Sequence, residues 1–176
     1  KSNTLIDLAK KRTKGKTNPQ FFRLNIVSVQ DQRLYRRLLE QHADCVTMLG
    51  TLHTFHDFVP ILKPLISNAH TKMIIIHSPF NTDPVNVHVF HQDLTANNKQ
   101  FLSAYNIFSQ ETIARFLKKN HVSNFQFEPF VMKKKLMKDR SHPMNNYHMV
   151  DQQNVKWLTT GARLLFQEFM LIIHLK

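Results

Sequence analysis

The sequence predicts an α/β fold with an open, mostly parallel sheet that is completed by an antiparallel pair of C-terminal strands. Apolar runs of strand length alternate with segments whose apolar residues recur at helical spacing, which is typical of this class. Two of these runs, at residues 44–49 and 72–77, are apolar enough to lie buried on both faces, as parallel strands do. The closing segment FMLIIHL, residues 169–175, predicts a last buried strand.

A crossover helix is predicted between the two buried strands, at residues 57–67. Asp57 can cap its first turn, and Pro60 falls in that turn, where proline is tolerated. The strand, the helix and the following strand then form a parallel β-α-β unit, which almost always has a right-handed crossover. Cys45, the single cysteine, lies in the first of these strands and is therefore expected to be an inert core thiol.

Two helices and a strand are predicted before this unit. Residues 3–12 form a short helix that ends in Lys and Arg, residues 20–29 form a strand, and residues 33–42 form an amphipathic helix over the sheet.

The segments after the unit are less regular. Residues 83–98 are polar and predict a loop or lid, in which VNVHVFH can form a short edge strand. Ser109 begins a helix that ends at Asn120 and His121, and a strand follows at residues 125–132. Residues 149–157 are expected to be extended, with a turn at DQQN.

Length and charge limit the classes of protein to which the chain can belong. With 176 residues it is expected to form a single domain over residues 1–176. The formal net charge of +12 favours encounter with nucleic acid, acidic proteins or anionic membrane surfaces. Because no apolar run is long enough to span a membrane and the first residues lack a secretory signal, a soluble, cytoplasmic protein is expected.

Several short segments occur in an order that is informative. LHTFHD (52–57) leads into the predicted helix, LKP (62–64) lies towards its end, MIII (73–76) forms the next strand, and FS (108–109) begins a later helix. In this order the chain resembles the class I S-adenosylmethionine-dependent methyltransferases, which have a Rossmann-like sheet. The resemblance implies S-adenosylmethionine as the cofactor and a methyl acceptor that the sequence does not identify.

The sequence also departs from that family. It has no counterpart of the Gly-rich loop after the family's first strand or of the acidic residue that ends the second. The chain is therefore expected to match the part of the fold after the second strand, with an N-terminally incomplete sheet. An alternative alignment places TLIDLA (4–9) on the first strand.

The resemblance implies two groups of cofactor contacts, both at the carboxyl ends of strands, where α/β sheets bind ligands. Asn25 and Ile26 form the first group, and Met48, Leu49 and Gly50 form the second. Asn25 stands where the family usually has an acidic residue near the adenine, and its amide can still hydrogen-bond the base.

His53 is the candidate catalytic residue, because it follows the strand end that would face the cofactor's methyl group, where an imidazole can orient or deprotonate an acceptor. His56 and Phe80 are the candidate substrate contacts. The two histidines can instead cap the next helix or face solvent. The pairs His53/His56 and His88/His91 are each three residues apart, but without cysteine or carboxylate support no metal site is predicted.

A second hypothesis is a catalytically inactive methyltransferase-like module that binds RNA or a protein partner through its basic surface. Residues 133–140 are rich in Lys and can contact phosphates, and Phe125, Phe127 and Phe130 are nearby stacking candidates. The alternation of these phenylalanines favours core positions instead.

Overall fold

The computed structural model describes residues 29–40, 43–93, 101–131, 136–137, 147–150, 156–159 and 165–175, in two compact units. The first unit, Lys1–Gln41, contains helix α1 (Val29–Leu39). This helix begins four residues before the predicted start at residue 33, so Val29 is helical rather than the end of a strand. The rest of the predicted strand at 20–29 and the predicted helix at 3–12 lie outside the described residues.

The second unit, His42–Lys176, contains the predicted β-α-β segment. Its members are strand β1 (Cys45–Leu49), helix α2 (Val59–Ile66) and strand β2 (Met73–Asn81). The two strands are parallel, with Leu49 opposite His77, which confirms the predicted pairing. The residue at the N-cap position is Phe58 rather than the predicted Asp57. Asp57 lies one residue earlier, and its Oδ1 accepts a hydrogen bond of 2.8 Å from the Val59 N–H, the first N–H of the helix.

Further strands complete two sheets in this unit. They are β3 (Val87–Asp93), β4 (Phe101–Ser109), β5 (Phe125–Pro129), β6 (Tyr147–Val150), β7 (Lys156–Thr159), β8 (Leu165–Phe166) and β9 (Glu168–His174). The larger sheet has the order β3-β4-β2-β9-β5, with β1 also paired to β2, and the smaller one has the order β6-β7-β8. Helix α3 (Gln110–Lys119) follows β4 and begins at Ser109, as predicted.

The larger sheet is mixed, so the prediction of a mostly parallel sheet is wrong. Strand β2 is parallel to β1 and, over a short stretch, to β4. The pairs β2–β9, β5–β9 and β3–β4 are antiparallel. The antiparallel pairs outnumber the parallel ones because β9 lies reversed between two strands and β3 and β4 are adjacent antiparallel neighbours. The last strand, β9, is antiparallel to both of its neighbours, β2 and β5.

Strand β1 is less buried than its sequence predicts. Its side chains alternate between exposed and half-buried, Leu49 is 62% exposed, and Cys45 is exposed rather than a core thiol. The physical reason is position: among the described strands β1 pairs with β2 alone, so it lies at an edge.

The core lies on one face of β2 and β9. Ile74 and Ile76 of β2 and Leu171 and Ile173 of β9 are fully buried there. Phe58 connects α2 to the other elements, because its ring packs edge to face against Phe108 of β4 at 5.1 Å and against Phe116 of α3 at 5.3 Å. The intervening residues of β2 and β9 point to the opposite face and are only half-buried.

Two boundaries near the carboxyl end of β2 differ from the prediction. The strand continues through Ser78 and Pro79 to Asn81, because β9 pairs with residues 78–79 and β4 with residues 80–81. The predicted loop at 83–98 contains strand β3, which confirms the edge strand predicted in VNVHVFH. Residues 87–93 are therefore a strand and not part of a loop. Strand β4 was not predicted, and residues 94–98 lie outside the described residues.

Candidate active site

The carboxyl end of β1 opens into the region where the sequence predicts ligand binding. A 3-10 turn, Leu52–Thr54, follows the strand and packs against β2 and β4; we call it the His53 turn. Gly50 begins the departure from the strand with a φ of +64°, a conformation that favours glycine. A Cβ atom at Gly50 would meet nothing within 4 Å, so the space over this strand end is open.

His53 is half-buried within the turn, and its ring lies 4.4 Å from the ring of Tyr105 on β4, centroid to centroid. Its Nδ1 atom is buried and has no hydrogen-bond partner among the described residues. Burial lowers the pKa of His53; the carboxylate of Glu168 opposes this effect and His77 adds to it. The imidazole is therefore held mainly in its neutral form near pH 7.

Glu168, at the start of β9, connects the polar side chains of this region. Its Oε2 lies 3.2 Å from Nε2 of His77 on β2, within ion-pair distance but without the alignment of a hydrogen bond. Burial raises the pKa of Tyr105, and the Glu168 carboxylate raises it further, so that phenol stays protonated. The ring of Phe130 packs edge to face on His77 at 4.6 Å. We call His53, His77, Tyr105 and Glu168 the acid–base cluster.

Asn106 of β4 is fully buried and holds the His53 turn in place. Its Nδ2 donates hydrogen bonds to the backbone carbonyls of Phe55 at 2.8 Å and His53 at 3.1 Å. Its Oδ1 lies 2.7 Å from Nδ1 of His88. Every polar atom of the amide is thus paired, which satisfies a buried polar group and fixes its orientation.

The structure places three of the predicted cofactor residues at this strand end: Met48 is half-buried, and Leu49 and Gly50 are exposed. Asn25 and Ile26 lie outside the described residues. Phe80 is only 2% exposed, and its ring packs edge to face on that of Phe127 at 5.2 Å. Its contact with a substrate stays a prediction.

His56 is exposed, and its ring lies beside the rings of His88 at 5.0 Å and Phe90 at 6.4 Å. Its contact with a substrate stays a prediction. Among the stacking candidates, Phe125 and Phe127 are half-buried and Phe130 is exposed; most of the basic segment at 133–140 lies outside the described residues.

Tyr105, Asn106 and Glu168 are missing from the sequence-based set of site residues. They lie far from His53 along the chain and reach it only through the pairing of β4 and β9 with β2. The sequence contains one indication of the role of Asn106. An amide inside the largely apolar segment FLSAYNIF is typical of a buried, hydrogen-bonded polar group.

Within the described ranges, no three or more His, Cys, Asp or Glu side chains are grouped so that they could hold a metal ion. In the same part of the chain, every helix is too short or too polar to cross a membrane.

No protein-family model matches the chain, and the search of curated proteins also finds no match. Its function is therefore inferred from its own residues and their geometry.

Proposed function

We propose that this protein is an S-adenosylmethionine-dependent methyltransferase with a Rossmann-like sheet, and that its methyl acceptor binds over the carboxyl end of β1. The position of His53 carries the proposal. This imidazole lies in the turn that follows β1, has a lowered pKa, and has a buried Nδ1 without a partner among the described residues. The parallel β1–α2–β2 unit and the reversed strand β9 support the resemblance to class I methyltransferases.

The described residues fit the later half of such a cofactor site. Leu49 is 62% exposed and the space over Gly50 is open, so the strand end has room for a ligand with an apolar face. When bound, S-adenosylmethionine supplies an electrophilic methyl group on a sulfonium sulfur. Contacts from Asn25 and Ile26 stay a prediction, and the sequence has no counterpart of the Gly-rich loop.

Methyl transfer requires an acceptor that is held in line and shielded from water. The rings of Tyr105 and Phe130, each packed on a histidine of the cluster, offer apolar surfaces for this purpose. A neutral His53 can accept the proton that an O–H or N–H acceptor loses as its new bond to carbon forms. The Glu168 carboxylate favours the imidazolium that results, since it acts to raise the pKa of His53.

Binding of the demethylated product, S-adenosylhomocysteine, tests the cofactor. Calorimetric titration is expected to give saturable heat with the unaltered protein and at least about tenfold weaker binding with Leu49→Asp, because a carboxylate replaces an apolar contact. Val85→Asp is the matched control, since Val85 is also exposed, at 54% against 62% for Leu49. Absence of binding at millimolar ligand, or equal losses in both variants, contradicts the proposal.

Transfer of a labelled methyl group into a cell extract tests His53. His53→Gln is expected to keep cofactor binding and to lose about 10²–10⁴ in rate, the usual contribution of a general base. His70→Gln serves as the control, because this exposed histidine lies just before the first residue of β2, whereas the proposed site lies near the carboxyl ends of β1 and β2. An unchanged rate in His53→Gln would remove the proposed role.

A second candidate function is an inactive methyltransferase-like module that binds RNA, and the observation that favours it is the net charge of +12. It predicts affinity for single-stranded RNA that falls steeply as salt rises, because phosphate contacts release counterions. RNA binding with such a salt slope, together with no binding of S-adenosylhomocysteine, would favour this candidate over the enzyme.

A further inference from the structure

Two imidazole rings lie side by side on the surface next to the His53 turn. His56 follows the turn, His88 lies on β3, and both side chains are exposed. Their ring centroids are 5.0 Å apart and their planes are inclined by 47°. By sequence spacing, His56 pairs with His53 and His88 pairs with His91. The contact between His56 and His88 is therefore not predictable from spacing and results from the fold.

The orientation of Asn106 determines which nitrogen of His88 carries a proton. Both N–H groups of the amide point at backbone carbonyls, those of Phe55 and His53, so Oδ1 is the atom that faces His88. An amide oxygen can only accept, and His88 Nδ1 must therefore donate. In the neutral ring the lone pair is then on Nε2, on the side away from the buried amide.

This arrangement is the one that proteins use to prepare a histidine for metal binding. A ligating histidine almost always donates its second ring N–H to an oxygen acceptor, which fixes the tautomer and the ring orientation. Here the acceptor is itself buried and hydrogen-bonded, so its position is well determined.

The distance between the rings agrees with a shared metal ion. A zinc–nitrogen bond of about 2.0–2.1 Å places the centroid of each imidazole about 3.2 Å from the metal. Two such rings at a tetrahedral angle would have centroids about 5.2 Å apart, close to the 5.0 Å observed.

We propose that His56 and His88 form a two-histidine site for a divalent transition-metal ion such as Zn²⁺, with Asn106 as the outer partner of His88. No third His, Cys, Asp or Glu joins the pair among the described residues, so water or another ligand fills the remaining positions. Imidazole suits Zn²⁺, Cu²⁺ and Ni²⁺, whereas Mg²⁺ prefers oxygen ligands. The proposal does not rest on the proposed methyl transfer, because it requires neither the cofactor nor the His53 imidazole.

Calorimetric titration of the apo protein with Zn²⁺, with Mg²⁺ as the control ion, tests this site. The variants are His56→Gln, His88→Gln and the double variant; both side chains are exposed, so folding is expected to be preserved. A shared ion predicts that each single substitution weakens Zn²⁺ binding at least about tenfold. Loss of an outer-shell partner alone already lowers metal affinity by about that factor. A shared ion also predicts that one ion binds per pair of histidines, so that either single substitution removes the tight binding as a whole rather than half of it.

Two control variants allow for the other histidines of the chain. His70→Gln and His121→Gln replace exposed histidines elsewhere in the same unit and are expected to keep the binding. Two independent imidazoles would each bind an ion of their own, so each single substitution would lower the number of ions bound and leave the affinity of the remaining site unchanged, and this result would overturn the proposal. Unchanged binding in both single variants, or equal binding of Mg²⁺, would overturn it as well.

The nitrogen resonances of His88 give a second readout that does not depend on a variant. In the apo protein at a pH where the ring is neutral, NMR is expected to show a protonated Nδ1 and an unprotonated Nε2. Addition of one equivalent of Zn²⁺ should shift Nε2 and leave Nδ1 protonated. A proton on Nε2 in the apo protein, or no response to Zn²⁺, would contradict the proposed ligand geometry.

Discussion

Replacement of Asn106 by leucine tests how the His53 turn is held. Leucine has nearly the shape of asparagine but cannot donate or accept hydrogen bonds. The substitution therefore leaves the backbone carbonyls of His53 and Phe55 without their donor, and it removes the acceptor for His88 Nδ1. Because Asn106 is fully buried, water cannot take the place of the lost amide.

The expected loss of stability follows from these three bonds. Each carbonyl left unpaired costs about 1–2 kcal/mol, the lower part of the usual range, because these groups are only partly buried. His88 adds little, since its exposed ring can turn to water. The free energy of unfolding is therefore expected to fall by about 2–4 kcal/mol.

Urea denaturation followed by circular dichroism measures this change, as a lower midpoint at an unchanged m value. Asn81→Leu is the matched control, because Asn81, at the end of β2, also donates to a backbone carbonyl, that of Val85 at 3.0 Å, and accepts from the Asp83 N–H at 3.1 Å, but both of these bonds are exposed to solvent. We expect the control to lose less than about 1 kcal/mol. If the two variants lose the same amount, Asn106 does not hold the turn as described.

Three further predictions concern single side chains. Burial lowers the pKa of His53 below its ordinary 6.5, so the folded state binds fewer protons than the unfolded state. The free energy of unfolding is therefore expected to be highest above about pH 6.5 and to fall as the pH drops below that value. Urea midpoints between pH 7.5 and 5 should show a weaker pH dependence in His53→Gln than in His70→Gln, and identical slopes would contradict the shift. Ser109→Ala should cost about 1 kcal/mol, since the Ser109 hydroxyl accepts from the Thr112 N–H at 2.9 Å; Ser123→Ala, in an exposed loop, should cost nothing measurable in the same assay. Cys45 is exposed, so the folded protein should react with one equivalent of a thiol reagent without denaturant, and reaction only after unfolding would indicate a buried thiol.

Where local signals agree with one another, the sequence predicted the elements closely. The helix predicted at 57–67 is observed at Val59–Ile66, because the hydrogen bond from the Val59 N–H to Asp57 and the apolar residues at helical spacing act within a few residues of each other. The helix predicted from Ser109 to Asn120 is observed at Gln110–Lys119 for the same reason. Both depend on hydrogen bonds between near neighbours in the chain.

The errors arise where the partners are distant in sequence. The apolar run in β1 indicates a buried strand, but burial depends on how many neighbours pair with it, and the strand lies at an edge among those described. Likewise, Ser78 and Pro79 resemble a strand end, yet β9 and β4 extend the pairing past them. Local patterns do not contain this information.

The α/β class, the parallel β1–α2–β2 unit and the position of His53 shortly after a strand end could be predicted from local patterns, since each depends on residues close together in the chain. Local patterns did not predict the mixed sheet, the approach of Glu168 and Tyr105 to His53, or the pairing of His56 with His88. These contacts join segments far apart along the chain, and the hydrogen bonds of β2 with β4 and β9, rather than any local pattern, bring them together.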